Sequence, residues 1–212
     1  MKRIETNGIT CLEILREGEA WYCGTDYASG DLYEAEEIYA ETGTVRPNRL
    51  IFVHHPDGAV YEPALLEAGQ YFGRPVFVAE RIYILLVDFR KKLIQILECD
   101  TATVEVRNTI ELPLTSVKDC YNLRLAGDPL MITRQGAEGG FEIIYPAYRA
   151  YETEANEAFL YREGERLYFS VWYEDPDYRE EVIVRDIATG EVVERLRGSV
   201  FITPSGEGWV LG

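Results

Sequence analysis

Short apolar runs separated by tight polar turns dominate the chain and predict β-strands joined in hairpins. Five segments share one form, a short strand, a polar turn and a second apolar strand, and they span residues 11–25, 76–88, 123–134, 159–173 and 201–211. Glycine stands in four of the five turns, at Gly18, Gly127, Gly164 and Gly206. A positive φ carries no steric penalty for glycine, so these positions suit tight turns. The pattern therefore predicts five hairpins built on one plan.

A second kind of hairpin lies between the first kind. Residues 49–63 and 181–196 align well, and their turns close on Gly58 and Gly190. Residues 92–112 and 141–152 match the same form more loosely. The two kinds alternate with a period of roughly 35–55 residues, which is typical of repeat proteins made from one supersecondary unit.

A four-stranded unit used repeatedly is the blade of a β-propeller, and the chain resembles β-propeller proteins over most of its length. We expect an all-β fold of antiparallel four-stranded repeats, with about five blades. The single β-repeat domain would cover residues 1–212, in units 9–66, 75–112, 121–152, 157–197 and 199–212. Because the last unit holds only one hairpin, a β-sandwich and an open meander are alternatives.

Residues 28–43 interrupt the strand pattern with a helical one. Apolar side chains recur at helical spacing, at Leu32, Ala35, Ile38 and Tyr39. Asp31 precedes them as an N-cap, and Glu34 follows three residues later, as in a capping box. Gly43 provides a left-handed C-terminal stop. These features predict one inserted helix near 31–41, and capping and exposure account for most of its acidic residues.

Long connections should gather at one end of the repeats, because consecutive connections of an antiparallel meander alternate between its two ends. The hairpin turns are short, whereas residues 26–48, 66–75, 113–121 and 174–181 form long connections. The resemblance to β-propellers implies that this face surrounds a central channel. Since loops on a rigid scaffold often carry binding, we expect one functional face, acidic in character.

Two groups of side chains on that face are candidate ligand-binding residues. Asp26 and Asp31 flank the beginning of the inserted helix and suit a cation or a hydroxylated ligand. The second group combines aromatic rings with carboxylates, as sugar recognition requires, and it consists of Trp172, Tyr173, Asp175 and Asp177. The structural alternative is that Trp172 packs between blades and that Tyr173 faces solvent.

The net charge of −16 limits the classes of partner that the chain can bind. Such a charge repels nucleic-acid phosphates and anionic lipid, so we expect no nucleic-acid or membrane partner. A glycan, a peptide or a basic protein fits better. The chain begins without the apolar region of a signal peptide and contains no long apolar run, which favours a cytoplasmic location. The four cysteines lack C-x-x-C spacing and no calcium-loop pattern occurs, so we expect free buried thiols, no metal and no cofactor.

The residue inventory favours a non-catalytic binding or interaction module that presents the acidic, aromatic-containing loop face. The only two histidines, His54 and His55, lie beside a turn and point to opposite faces of a strand, so they provide no site for nucleophilic catalysis. A glycan-active enzyme with paired carboxylates on the loop face is the alternative. The chain would be a monomer, or a homo-oligomer paired through the edge of the hairpin at 201–212.

Overall fold

A computed structural model describes residues 1–18 and 20–212, and β-strands are the main regular secondary structure in them. The chain divides into two compact units, Met1–Leu125 and Ala126–Gly212. The paired strands are antiparallel and, apart from the divided outer strand of the second sheet, neighbours in chain order, which is the meander of a propeller blade. Within this described part of the chain, no helix combines the length and the apolar character that crossing a membrane requires.

The first unit contains two sheets. The first sheet consists of β1 (Glu13–Ile14), β2 (Trp21–Thr25), β3 (Leu50–His54) and β4 (Val60–Tyr61). The second consists of β5 (Gln70–Phe72), β6 (Val76–Val78), β7 (Arg81–Asp88), β8 (Leu93–Asp100) and β9 (Val106–Pro113). Both β5 and β6 pair with β7, so together they form one outer strand that is broken at residues 73–75. A single 3₁₀ turn, Leu114–Ser116, follows β9.

The second unit begins within the first strand of the third sheet. That sheet consists of β10 (Arg124–Ala126), β11 (Met131–Gln135), β12 (Phe141–Tyr145) and β13 (Arg149–Tyr151). The fourth consists of β14 (Ala158–Glu163), β15 (Arg166–Tyr173), β16 (Arg179–Asp186) and β17 (Val192–Arg197). A two-stranded hairpin follows, formed by β18 (Ser199–Ile202) and β19 (Gly208–Leu211).

These sheets confirm the predicted all-β, propeller-type fold and correct its blade count. Among the residues that the structure describes, the blades number four, not five. The hairpin predicted at 201–211 is present as β18 and β19, but no further strands in the described part of the chain complete it to a four-stranded blade. Counting each such hairpin as a blade therefore overestimated the number by one.

Burial along the strands follows from their side chains. In β15 the residues alternate between buried and accessible, because apolar Leu167, Phe169 and Val171 share one face. In β7 and β8 the burial is nearly continuous, because both faces of this central strand pair are covered. The cores are aromatic and aliphatic, with Phe52, Ile82 and Ile84 in the first unit.

The predicted helix is present as α1 (Leu32–Thr42). Asp31 is its N-cap, and its carboxylate accepts a hydrogen bond from the Glu34 amide at 2.9 Å. The Glu34 carboxylate in turn accepts from the Asp31 amide at 2.8 Å, which completes the capping box. Gly43 ends the helix with φ of 73°, in the left-handed region.

Candidate functional site

The first unit encloses a cavity of ≈ 330 Å³ beside α1. Strands β1, β2, β3 and β5 line it together with the loop before α1, the residues around the β5–β6 break and the segment 120–124. The lining thus includes part of the connection between β2 and β3 and the end of the connection between β9 and β10. The cavity volume is at the lower end of the range for small-molecule sites.

The loop that carries α1 is closed at its base by Asp26. The Asp26 carboxylate accepts from the Arg49 amide at 2.9 Å, and the Asp26 amide donates to the Arg49 carbonyl at 3.3 Å. These two bonds follow directly after the last paired residues of β2 and β3, Thr25 and Leu50. Asp26 therefore holds the two ends of the loop together.

Tyr71 fastens the same loop to the second sheet. Its hydroxyl donates to the Gly30 carbonyl at 2.6 Å and accepts from the Ser29 amide at 3.1 Å. The side chain is almost fully buried, and that burial raises the pKa of the Tyr71 hydroxyl. The hydroxyl therefore remains protonated and able to donate at neutral pH.

Asn48 makes a second connection between the first two sheets. Its side-chain amide donates to the Phe72 carbonyl at 2.9 Å, and its side-chain oxygen accepts from the Phe72 amide at 2.8 Å. The side chain thus pairs with β5 as a neighbouring strand would. Both bonds are buried, so they fix the wall of the cavity.

Helix α1 is attached along its length to the first unit. The Glu36 carboxylate accepts from the Cys120 amide at 2.7 Å. Tyr33 meets Tyr121 edge to face at 5.2 Å between ring centroids, and Tyr39 stacks on Phe89 at 5.4 Å. The helix is therefore a fixed wall of the cavity.

Charged side chains of both signs reach the cavity. Arg74, from the break between β5 and β6, forms an ion pair with Glu13 of β1. Arg124 also lines the cavity and is exposed to solvent. Desolvation by neighbouring protein atoms lowers the pKa of Arg124, and the positive charges of Arg74 and Arg16 lower it further. The guanidinium groups thus bring local positive charge to an acidic protein.

Three thiols also line the cavity, but they differ in accessibility. Cys11 is exposed, whereas Cys23 and Cys120 are buried, and all three are reduced thiols. The exposure of Cys11 corrects the expectation that every cysteine is buried. Burial, with a contribution from Glu13, raises the pKa of the Cys23 thiol to about 11. Cys23 is therefore a neutral thiol at physiological pH and a poor nucleophile.

The structure assigns structural roles to the two acids predicted as ligands near α1. Asp26 closes the loop and Asp31 caps the helix, and Asp31 also lines the cavity. Each carboxylate already accepts a backbone hydrogen bond. Ligand binding by these residues stays a prediction.

The other four predicted residues lie at the β15–β16 connection of the second unit. Trp172 is half exposed, whereas the face of the Tyr173 ring is covered by the Arg179 guanidinium, 4.2 Å from the ring centroid. Arg179 also donates to the Asp175 carbonyl at 2.9 Å, and Asp177 is exposed in the same turn. Of the predicted aromatic pair, Trp172 therefore offers the more open surface.

Sequence reasoning missed the side chains that shape the cavity, including Glu13, Asn48, Tyr71 and Arg74. They come from separate strands and loops, and no local spacing relates them. One signal was available: Gly73 and Pro75 flank Arg74 within a strand pattern. Glycine and proline inside a strand often mark a break where a side chain is redirected.

Comparison with known proteins gives no family and only distant structural likenesses. No protein-family model and no curated protein matches the chain. A chain of a mitotic checkpoint complex matches 91% of this chain and 52% of its own length, at 9% identity and a TM-score of 0.48. The β-propeller domain of the Trilobed protease from Pyrococcus furiosus matches 92% of this chain and 59% of its own, at 10% identity and a TM-score of 0.45. A prolyl endopeptidase matches 93% and 30%, at 9% identity and a TM-score of 0.47.

The class that the fold defines is a β-propeller-type repeat protein with four blades. The chain spans between about a third and three fifths of the length of the solved chains described above.

Proposed function

We propose that this protein is a non-catalytic binding module and that its ligand occupies the cavity beside α1. The observation that carries the proposal is a ligand-sized cavity of ≈ 330 Å³ with fixed walls. Tyr71, Asn48 and Glu36 hold those walls through hydrogen bonds of 2.6 to 3.1 Å. A preformed site of this kind binds with little ordering cost.

The acids near the cavity support binding over hydrolysis. A glycosidase needs one carboxyl group to act as an acid and another to act as a base or nucleophile. Asp26 and Asp31 each accept a backbone hydrogen bond that holds a loop or a helix in place. The Cys23 thiol, with its raised pKa, also fits a structural role.

Cys11 allows a direct test, because it lines the cavity and is exposed. A library of short peptides, oligosaccharides and small organic acids would be screened by ligand-observed NMR on the full chain. Cys11→Trp should fill part of the cavity and abolish binding of the hits, whereas Cys11→Ser should leave it unchanged. Hits that bind Cys11→Trp as well as the original chain would contradict the proposal.

A second candidate function is glycan binding at the β15–β16 connection. The observation that favours it is Trp172, whose side chain is 50% exposed beside Asp175 and Asp177. Trp172→Ala should then abolish retention on immobilised oligosaccharides. Tyr178→Ala is the control, because Tyr178 is an exposed aromatic residue of the same connection, 67% accessible. Equal retention of both variants would refute glycan binding through Trp172.

A further inference from the structure

The break in the outer strand of the second sheet places Arg74 at the cavity. Gly73 keeps one sheet contact, since its amide donates to the Leu85 carbonyl at 2.8 Å. A Cβ atom at Gly73 would lie 3.0 Å from the Leu85 side chain, so the close approach favours glycine. Pro75 has no amide hydrogen to continue the ladder. The chain is thereby redirected at Arg74, whose side chain is 72% exposed and lines the cavity.

Glu13 orients Arg74 but uses only part of its hydrogen-bonding capacity. One terminal nitrogen of the guanidinium donates to the Glu13 carboxylate. A guanidinium has five N–H donors in a planar fork, which suits a carboxylate held by two bonds. Within residues 1–18 and 20–212, the Arg74 side chain makes one hydrogen bond, the one to Glu13. Its other donors are available to a ligand.

The charges near Arg74 favour an anion. Arg124 lines the same cavity, and Arg16 and Arg74 both act on it electrostatically, which contributes to the lowered pKa of Arg124. The acids of the same lining are already engaged, because Glu13 is paired with Arg74 and the Asp31 carboxylate accepts a hydrogen bond from the Glu34 amide. The remaining donors of the Arg74 guanidinium therefore favour an anionic group.

The remaining walls favour an apolar body. The cavity is lined by the side chains of Leu32, Leu50, Phe72, Pro75 and Leu123. A ligand in contact with these groups gains from burial of apolar surface. A phosphate or sulfate ion would place a compact, strongly hydrated charge against the same walls and gain nothing from them.

We propose that the cavity binds a small carboxylate with an apolar body, and that Arg74 holds the carboxylate through the donors that Glu13 leaves. This inference rests on the proposed function and specifies its ligand class. The carboxylate could belong to a free small molecule or to the C-terminus of a peptide. Both present the same chemistry to Arg74, and the experiment separates them.

The test compares matched acids and neutral analogues by NMR titration of the full chain. The probes are 3-phenylpropionate and 3-phenylpropan-1-ol, and a short peptide ending in phenylalanine with either a free or an amidated C-terminus. Inorganic phosphate is the fifth probe. Charge-assisted hydrogen bonds predict that the preferred acid binds about tenfold or more tightly than its neutral analogue. Phosphate should bind more weakly than either acid, and the acid that binds more tightly identifies the source of the carboxylate.

Two variants assign the effect to Arg74. Arg74→Gln should remove the difference between acid and neutral analogue, and Arg74→Lys should restore only part of it, because the planar fork is lost. Arg90→Gln is the matched control: Arg90 is also exposed, at 53%, and contacts one carboxylate, that of Glu67. It should leave both affinities unchanged.

The outcomes distinguish this inference from the proposed function. If the neutral analogues bind as tightly as the acids and Cys11→Trp still blocks them, the cavity is a binding site but the carboxylate inference is wrong. An acid preference that survives in Arg74→Gln also overturns the inference. If the screen of diverse ligands finds no compound that depends on the cavity, the proposed function fails as well.

Discussion

A buried ion pair between Glu157 and Arg185 should be essential to the stability of the second unit. The guanidinium donates to both carboxylate oxygens, at 2.9 Å from Nε and 2.6 Å from Nη2, and its Nη1 donates to the Gly190 carbonyl at 2.8 Å. Glu157 is 3% exposed and Arg185 is 8% exposed. The pair therefore connects the segment before β14 with β16 and with the turn that follows it.

Glu157→Gln preserves the shape of the side chain and removes its charge. Two unit charges about 4 Å apart attract by about 4 kcal/mol at an effective dielectric constant near 20. The glutamine recovers one neutral hydrogen bond but leaves a buried guanidinium without a counter-charge. Removing one partner of a buried pair costs about 3–5 kcal/mol. We therefore expect Glu157→Gln to lower the free energy of unfolding of the second unit by about 3 kcal/mol.

Urea denaturation with hydrogen-exchange mass spectrometry on peptides from residues 126–212 would measure this loss. The matched control is Glu165→Gln, because Glu165 is 75% exposed and lies 3.6 Å from Arg162. A pair whose carboxylate is open to solvent contributes about 0–1 kcal/mol. The double variant Glu157→Gln, Arg185→Met should lose less free energy of unfolding than the sum of the losses in the two single variants. A loss below about 1 kcal/mol for Glu157→Gln, or simple additivity in the double variant, would refute the reasoning.

Four further predictions concern the first unit. Tyr71→Phe should lower the free energy of unfolding of the first unit by about 1–2 kcal/mol, because it removes the hydrogen bonds to Ser29 and Gly30. Unchanged amide exchange in residues 27–31 would contradict this prediction. Asp31→Ala should destabilise α1 by about 1 kcal/mol through loss of the capping box, measured as faster exchange in the first turn. Asp100 has a pKa lowered from 3.8 to about 2, mainly by the Thr103 amide and Arg81, so its stabilisation is complete above 3.8 and is lost as pH falls through 2. Asp100→Asn should flatten this part of a thermal-melting profile against pH, and an unchanged slope would count against it. A thiol reagent at mildly alkaline pH should label Cys11 much faster than Cys23, whose pKa is about 11; equal rates would disprove the assigned burial.

The strand order was predictable because each blade is local in sequence. Apart from the divided outer strand β5–β6, the sheets join strands that follow one another along the chain, and turn residues mark the reversals. The helix was predictable for the same reason, since Asp31, Glu34 and Gly43 act within its own ends. The blade count was wrong because β18 and β19 carry the same pattern as the first two strands of a blade, and pattern alone does not distinguish a hairpin from a complete sheet.

The cavity was not predictable because its parts are distant in sequence. Tyr71 contacts Gly30 across 41 positions, and Arg74 contacts Glu13 across 61. Neither residue type at either position has a local pattern that indicates its partner. The acidic pattern predicted Asp26 and Asp31 as ligand-binding residues, but their carboxylates accept hydrogen bonds from backbone amides. The basic side chains Arg74 and Arg124 are far apart in the sequence and line the same cavity only in the fold.

The hydrogen bonds between Asp26 and Arg49 make the pairing of β2 with β3 independent of the loop between them. Because these bonds follow the last rung between Thr25 and Leu50, the strand register does not depend on what residues 27–48 contain. Lengthening a loop whose ends are already held adds little entropy cost, about 0.6 kcal/mol for each doubling. This insertion is therefore a natural place to exchange segments. A related sequence could change the helix, and with it the ligand, while it kept the same blade.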